Sequence, residues 1–242
     1  MTGRNIDIDR RSFLIRVLAA GALGGTGLLG FVRGVSAMEP EPIVAGMHQV
    51  RGAVRINGAI AQVGSFVAAN DTVMTGPGSR AVFVVGKDAF LVRENSLIEF
   101  SGGPGTTSGT GRSSAINVVR VQVGKVLSVF EPGEKRIETT TAIVGVRGTG
   151  IYVEAEPART YLCTCYGKIE LQARASPDAR ETLTTTHHQE PRYIYASGAD
   201  TLIVRAPMMM NHTDHELIML EGLVHRQPPF VKLPIGRTRE PY

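Results

Sequence analysis

Residues 139–153 read Thr-Thr-Thr-Ala-Ile-Val-Gly-Val-Arg-Gly-Thr-Gly-Ile-Tyr-Val, and they decide the fold class. Thr, Ile, Val and Tyr suit a pleated, half-buried surface. Gly145, Gly148 and Gly150 give backbone freedom where a side chain would obstruct a turn or bulge. The stretch predicts strand, tight turn, strand. Arg147, set among small residues, carries a planar fork of donors that can staple such a turn to a carbonyl or a carboxylate. The same texture extends outward. Short β-type runs at 53–56, 81–85, 89–92, 97–100, 116–123, 126–130, 150–154, 160–166 and 168–172 are separated by Gly, Asn, Asp and Pro. Val82–Val85, turning through Gly86-Lys87-Asp88 into Ala89–Val92, reads as a hairpin. Gly102–Ser114, rich in Gly, Ser and Thr, reads as an exposed loop. The chain is therefore expected to be all-β, as a β-roll, a sandwich or a short solenoid; spacing alone does not choose among them.

Several further segments occur in an informative order. Gly52-Ala53-Val54-Arg55-Ile56-Asn57-Gly58 reads as an opening strand and hairpin. Val63-Gly64 and Asn70-Asp71-Thr72-Val73-Met74-Thr75-Gly76 follow, then Ser79–Phe83, Phe90–Ser96 and Gly124–Leu127. With Gly145, Arg147, Gly148 and Thr149 as its signature turn, the series resembles the FecR-type domain, an all-β module found outside the cytoplasm in bacteria. The resemblance covers residues 46–172 and implies a β-roll or solenoid-like arrangement. It also implies a non-enzymatic role in envelope sensing, signalling or interaction, with a protein partner in the cell envelope. The family's membrane-bound regulators place a sigma-factor-binding domain and a membrane helix before this module. Here a short signal stands in that place, which speaks against direct anti-sigma activity.

That signal is residues 1–37. Arg10-Arg11-Ser12-Phe13-Leu14 is a twin-arginine pattern, an apolar glycine-rich run extends from Val17 to Val32, and Val35-Ser36-Ala37 is a small-residue cleavage site. Export to the periplasm or beyond, with cleavage near Ala37, is expected. The alternative is an uncleaved anchor, but the run reaches the ~20 apolar residues of a spanning helix only if stretched. No second run of that length exists, so the mature form is not expected to span a membrane. The segment carries Arg4, Arg10, Arg11, Arg16 and Arg33 against Asp7 and Asp9, so 21 of 26 basic and 20 of 22 acidic residues lie after it. A near-neutral remainder without a basic run or a recognisable module speaks against nucleic-acid binding.

Beyond Gln172 the texture changes, and residues 173–242 read as a C-terminal extension. Ala173–Thr186 is polar and suggests a loop or a returning connection. Tyr193-Ile194-Tyr195 and Thr201-Leu202-Ile203-Val204 suggest two strands. From Thr213 the period turns helical, with Leu217, Ile218, Leu220, Leu223 and Val224 on one face. Thr213 and Glu216 match a capping box, and Pro228-Pro229 stops the helix.

The chain has two cysteines, Cys163 and Cys165. Residues i and i+2 of a strand share a face, so both sulfurs project together. Their Cβ atoms then sit farther apart than the about 3.5–4.5 Å of an unstrained disulfide, although a bulge could close the gap in an oxidising compartment. Two thiolates joined by imidazoles from His187-His188 would suit Zn, Cu or a haem iron. Adjacent histidines in a strand point to opposite faces, which favours three ligands and an open position unless His188 sits in a turn. The Cys-x-Cys-Tyr-Gly and His-His pattern also resembles one in small exported members of the FecR family. Three readings stay open: a metal or cofactor site, a disulfide or redox pair at Cys163 and Cys165, and simple burial of two small hydrophobes. Met208-Met209-Met210, His212 and His215 have a copper-like texture with His225 farther on, but read best as packing. The sequence holds no Gly-x-Ser-x-Gly elbow, no His-Glu-x-x-His pair and no P-loop. Glu94 and Glu99 lack a carboxylate partner, so no enzyme is expected.

Overall fold

A computed structural model describes residues 42–102, 116–197 and 202–231. The expected signal, the Gly/Ser/Thr-rich loop after Gly102 and the polar tail lie outside these residues. The described chain is all-β with one short C-terminal helix, and its sheet is not closed into a barrel. The strands are β1 (Gly46–Arg51), β2 (Val54–Ile56), β3 (Ala59–Ile60), β4 (Thr72–Thr75), β5 (Arg80–Val85), β6 (Asp88–Val92) and β7 (Ser96–Ser101). Next come β8 (Val118–Val129), β9 (Glu134–Glu138), β10 (Ala142–Ala155), β11 (Arg159–Ala173), β12 (Arg180–Thr185), β13 (Arg192–Tyr195) and β14 (Ile203–Arg205), and then helix α1 (Asp214–Leu223).

Three long strands organise the sheet by changing partners along their length. The first half of β8 pairs with β7 and, in parallel, with β9; its second half pairs with β6 and β10. β10 passes from β9 to β8 in the same way, and β11 passes from β13 to β12. Glycines mark the bends. Gly124 has φ +103°, and a Cβ there would lie 2.4 Å from the Cα of Ser96. The expected strand–turn–strand at 139–153 is instead one bent strand: Gly148 (φ +59°) sits inside a register shift between Arg147 and Gly150, and the chain runs on against β11. Likewise the runs at 116–123 and 126–130 are one strand, as are those at 160–166 and 168–172. A glycine within a β pattern signals a turn or a bulge equally, and tertiary pairing resolved these in favour of bulges. The polar stretch expected as a loop or a returning connection before Thr186 contains β12, whose alternate residues Leu183 and Thr185 are buried against β11.

The main core lies on one face of this sheet, around Phe83, Phe90, Phe100 and Phe130, whose ring centroids are 5.1–5.8 Å apart. A second cluster lies on the opposite face, under α1. Its floor is a row across five strands, Val82–Leu91–Leu127–Tyr152–Cys163, set by the register. Leu217 and Leu220 of α1, with its C-cap Val224, close it. Thr213 caps α1 and forms the capping box with Glu216. Ile218, expected on the apolar face, is 43% exposed. Glu221 is buried in that face and accepts from the Tyr166 hydroxyl and the Arg226 guanidinium. The residues after 173 thus extend the sheet and roof its second face. Among the described residues no helix is long and apolar enough to cross a membrane.

Candidate metal centre

The second cluster has a polar end. Cys163 belongs to the buried row facing α1, two residues after Tyr161 on the same face. Cys165 falls in a register shift: Gly150 pairs with Tyr166 and Ile151 with Thr164, which leaves Cys165 without a partner on β10. Both sulfurs keep the shared face of positions i and i+2, and the shift, as bulges do, re-aims a side chain by bringing Tyr166 onto that face as well. The close approach at Gly150 is obligatory, since a Cβ there would lie 2.4 Å from the Tyr166 ring. Both cysteines are free and fully buried.

Two imidazoles meet them from different segments. His188 lies in the turn between β12 and β13 in a left-handed conformation (φ +50°), and its backbone N–H donates to the Cys165 carbonyl at 2.8 Å. The Gln189 side chain closes the turn by accepting from the Thr186 N–H. His212 lies just before α1, 4% exposed and stacked on Tyr152 at 4.5 Å. The nearby segment is pinned by Tyr161, whose hydroxyl donates to the Met208 carbonyl and accepts from the Met210 N–H. The four donor atoms of Cys163, Cys165, His188 and His212 lie within 4.8 Å of one another. His188 Nδ1 is 3.7 Å from Cys163 Sγ and 3.1 Å from His212 Nε2. A tetrahedral ion with Zn–S of about 2.3 Å and Zn–N of about 2.0–2.1 Å spaces its ligands about 3.3–3.8 Å apart.

The outer ring atoms are also committed. His188 Nε2 is 2.8 Å from Asp214 Oδ1, and His212 Nδ1 is 2.7 Å from the Met210 carbonyl. Each acceptor draws the proton to the outer nitrogen, so the inner nitrogens of two neutral rings would present facing lone pairs. That arrangement needs a shared proton or a cation between them, and carboxylate or carbonyl backing is what metal-ligating histidines usually have. The neighbouring Cys165 thiol, with His188 and His212, holds the Cys163 thiol below the usual range against its burial. Burial and the Cys163 thiolate push Cys165 up. Burial works against charge on His188, but Cys163 and Asp214 outweigh it and its pKa rises. Burial also pushes the Tyr152, Tyr161 and Tyr166 hydroxyls up, so the surrounding phenols stay neutral.

Of the residues singled out in the sequence, Cys163, Cys165 and His188 converge here. His187 points away from the sulfurs, 46% exposed, with Nε2 at 2.9 and 3.0 Å from the Asp214 carboxylate. His212, read in the sequence as packing, is buried against Tyr152, and its Nε2 also lies among the four donor atoms. Met208 and Met209 are 65% and 38% exposed, so they do not fill the core. Asp214 went unread in the sequence because it looks like an ordinary first-turn acid. The signature residues lie elsewhere. Arg147 pairs with Glu134 at 2.9 Å and Glu170 at 4.0 Å, on an open groove that Gly145 also lines. Thr149 is buried, and its hydroxyl donates to the Lys168 carbonyl.

No protein-family model matches this sequence, and no curated protein matches it. Among solved structures the chain is similar to two crystal structures, at 1.65 and 2.50 Å resolution, of a "putative anti-sigma factor" from Parabacteroides distasonis ATCC 8503. Each likeness has 14% identity and a TM-score of 0.42, and covers 56% of this chain and 58% of that one. The chain thus spans less than two thirds of the length of the structures it resembles.

Proposed function

We propose that this is an exported, non-catalytic envelope protein whose β framework holds one thiophilic transition-metal ion at Cys163, Cys165, His188 and His212. The observation that carries the reading is the convergence of two sulfurs and two inner ring nitrogens in a buried pocket, each ring backed by its own acceptor. A tetrahedral S2N2 set suits Zn2+ best, with Cu+ next. Four protein donors leave no open position, which favours a structural or sensing ion over a hydrolytic one. The donors come from a central strand, a turn and the segment leading into α1, so an ion would tie the helix-bearing segment to the sheet. Export rests on the Arg10-Arg11 pattern, and a role in envelope sensing, signalling or interaction rests on the FecR-like series of motifs.

The test is elemental analysis of full-length protein exported by its own signal and purified without chelator. Close to one equivalent of zinc or copper per chain, absent from Cys163→Ser/Cys165→Ser, is expected. Metal-free wild-type protein that is fully folded and takes up none of these ions would sink the reading.

A further inference from the structure

Immediately outside the four donors lies a second group of potential ligands. Asp214, the first residue of α1, accepts from His187 through both oxygens and from His188 through Oδ1. His188 belongs to both groups: its Nδ1 faces the sulfurs and His212, while its Nε2 faces Asp214. Exposure falls steadily inward, from 46% and 41% for the His187 and Asp214 side chains to 8% for His188, and to zero at the cysteines. Tyr152 covers His212 at 4.5 Å, and Leu217 and Leu220 are fully buried beside them. Phe230 lies 4.4 Å from the His187 ring and 6.2 Å from the His188 ring, against the outer pair.

From this geometry we infer that His187 and Asp214 form a capture site through which the metal ion enters and leaves the buried centre. The inference rests on the metal-binding reading of Cys163, Cys165, His188 and His212. A hydrated divalent ion cannot reach these buried donors with its water shell intact. It exchanges waters first for the exposed imidazole of His187 and the Asp214 carboxylate, a mixed N/O pair that keeps the remaining waters and binds weakly. Past the edge of the His188 ring, whose outer Nε2 stays bonded to Asp214, it meets the inner Nδ1 of His188 and the thiolates, where a thiophilic ion is held far more tightly. Ligands therefore replace waters one at a time along a downhill path. The anionic Asp214 at the mouth also raises the local concentration of cations.

The test is the kinetics of Co2+ uptake by the full chain, followed by the thiolate-to-cobalt charge-transfer band, with release into excess chelator measured separately. In His187→Ala both rates are expected to fall about tenfold, while affinity and a stoichiometry of one stay as in wild type. His187→Glu, which restores an exposed ligand, is expected to recover most of the lost rate. A structural defect in the inner centre would lower the affinity, so that result overturns the capture role, as does an unchanged rate in His187→Ala. If wild type gives no charge-transfer band at all, the metal-binding reading fails and the capture site falls with it. A normal band with unaltered kinetics defeats the capture site alone.

Discussion

β10 and β11 run side by side for most of their length, yet their two ends live in different solvents. At the Ile151–Ala155 and Thr160–Tyr166 end both faces are buried, one by the main core and the other by α1. At the Ile143–Arg147 and Lys168–Gln172 end one face reaches the core, while the other forms a groove lined by Lys135, Arg136, Arg147 and Arg180 against Glu134 and Glu170. The same pairing register thus carries mobile, screened charges at one end and a fixed cluster of sulfur, imidazole and phenol at the other. In water, the Arg147–Glu134 pair, 59% and 81% exposed, can dissolve at little cost. Under the helix, an unpaired charge or a lone polar atom is costly. Burial is what makes the two facing ring nitrogens require a shared proton or a cation between them.

The largest expected effect breaks the buried end. An ion present at about a thousand times its Kd contributes about 4 kcal/mol, or on the order of 10 °C in Tm for a domain of this size. Thermal melts of the metal-loaded protein are expected to lose that increment on adding chelator, whereas Cys163→Ser/Cys165→Ser melts alike with and without it. A wild-type Tm indifferent to chelator would mean that the buried cluster is self-sufficient. Next comes pH. Cys163 is already a thiolate near neutrality because its pKa is lowered, whereas Cys165 and His188, both raised, each hold a proton the ion must displace. Zinc binding near neutral pH is therefore expected to release about two protons, and affinity to drop up to about a hundredfold for each pH unit lowered. Above the raised His188 value only Cys165 still gives up a proton, so the slope relaxes to about tenfold per unit. Proton counts in a weakly buffered zinc titration check this, and release near zero would contradict the assignment of protons.

How far the sequence went differs between the two ends. Two continuous apolar runs split by Gly86-Lys87 made β5, β6 and their hairpin readable, and Thr213 with Glu216 announced the start of α1. Glycines were visible at 124, 148 and 150, but a glycine does not say whether the chain turns or bends, because that depends on which strand lies beside it. β12 was lost for a similar reason: Arg-Glu-Thr-Leu-Thr-Thr has one aliphatic side chain and becomes a strand only by pairing with β11. At the site, Cys163 and Cys165 share a face by elementary strand geometry. The His187-His188 doublet could be paired with them because the connection is long enough to fold back onto the cysteine-bearing strand. His212 could not, because it arrives 47 residues after Cys165, by way of three more strands, and no local pattern records that return. Asp214 was hidden by its second job as a first-turn acid of α1.

The smallest expected effect sharpens the open end. Arg147 sits in the most recognisable stretch of the chain, which invites the view that it is essential to the fold. Its contacts say otherwise: one close ion pair to a carboxylate that is 81% exposed, and a second at 4.0 Å to one that is 61% exposed. Exposed pairs of this kind contribute about 0–1 kcal/mol, and salt weakens them further. Arg147→Ala is therefore expected to shift the urea midpoint only slightly, with the small difference vanishing in high salt and metal content unchanged. The backbone bend beside it belongs to Gly148, at φ +59°, and survives without the arginine. A loss of several kcal/mol would show that the groove is structurally coupled to the core. A near-silent substitution leaves Arg147 free for recognition, since Glu134, Glu170 and the surrounding basic side chains form a charged surface that the fold itself does not need.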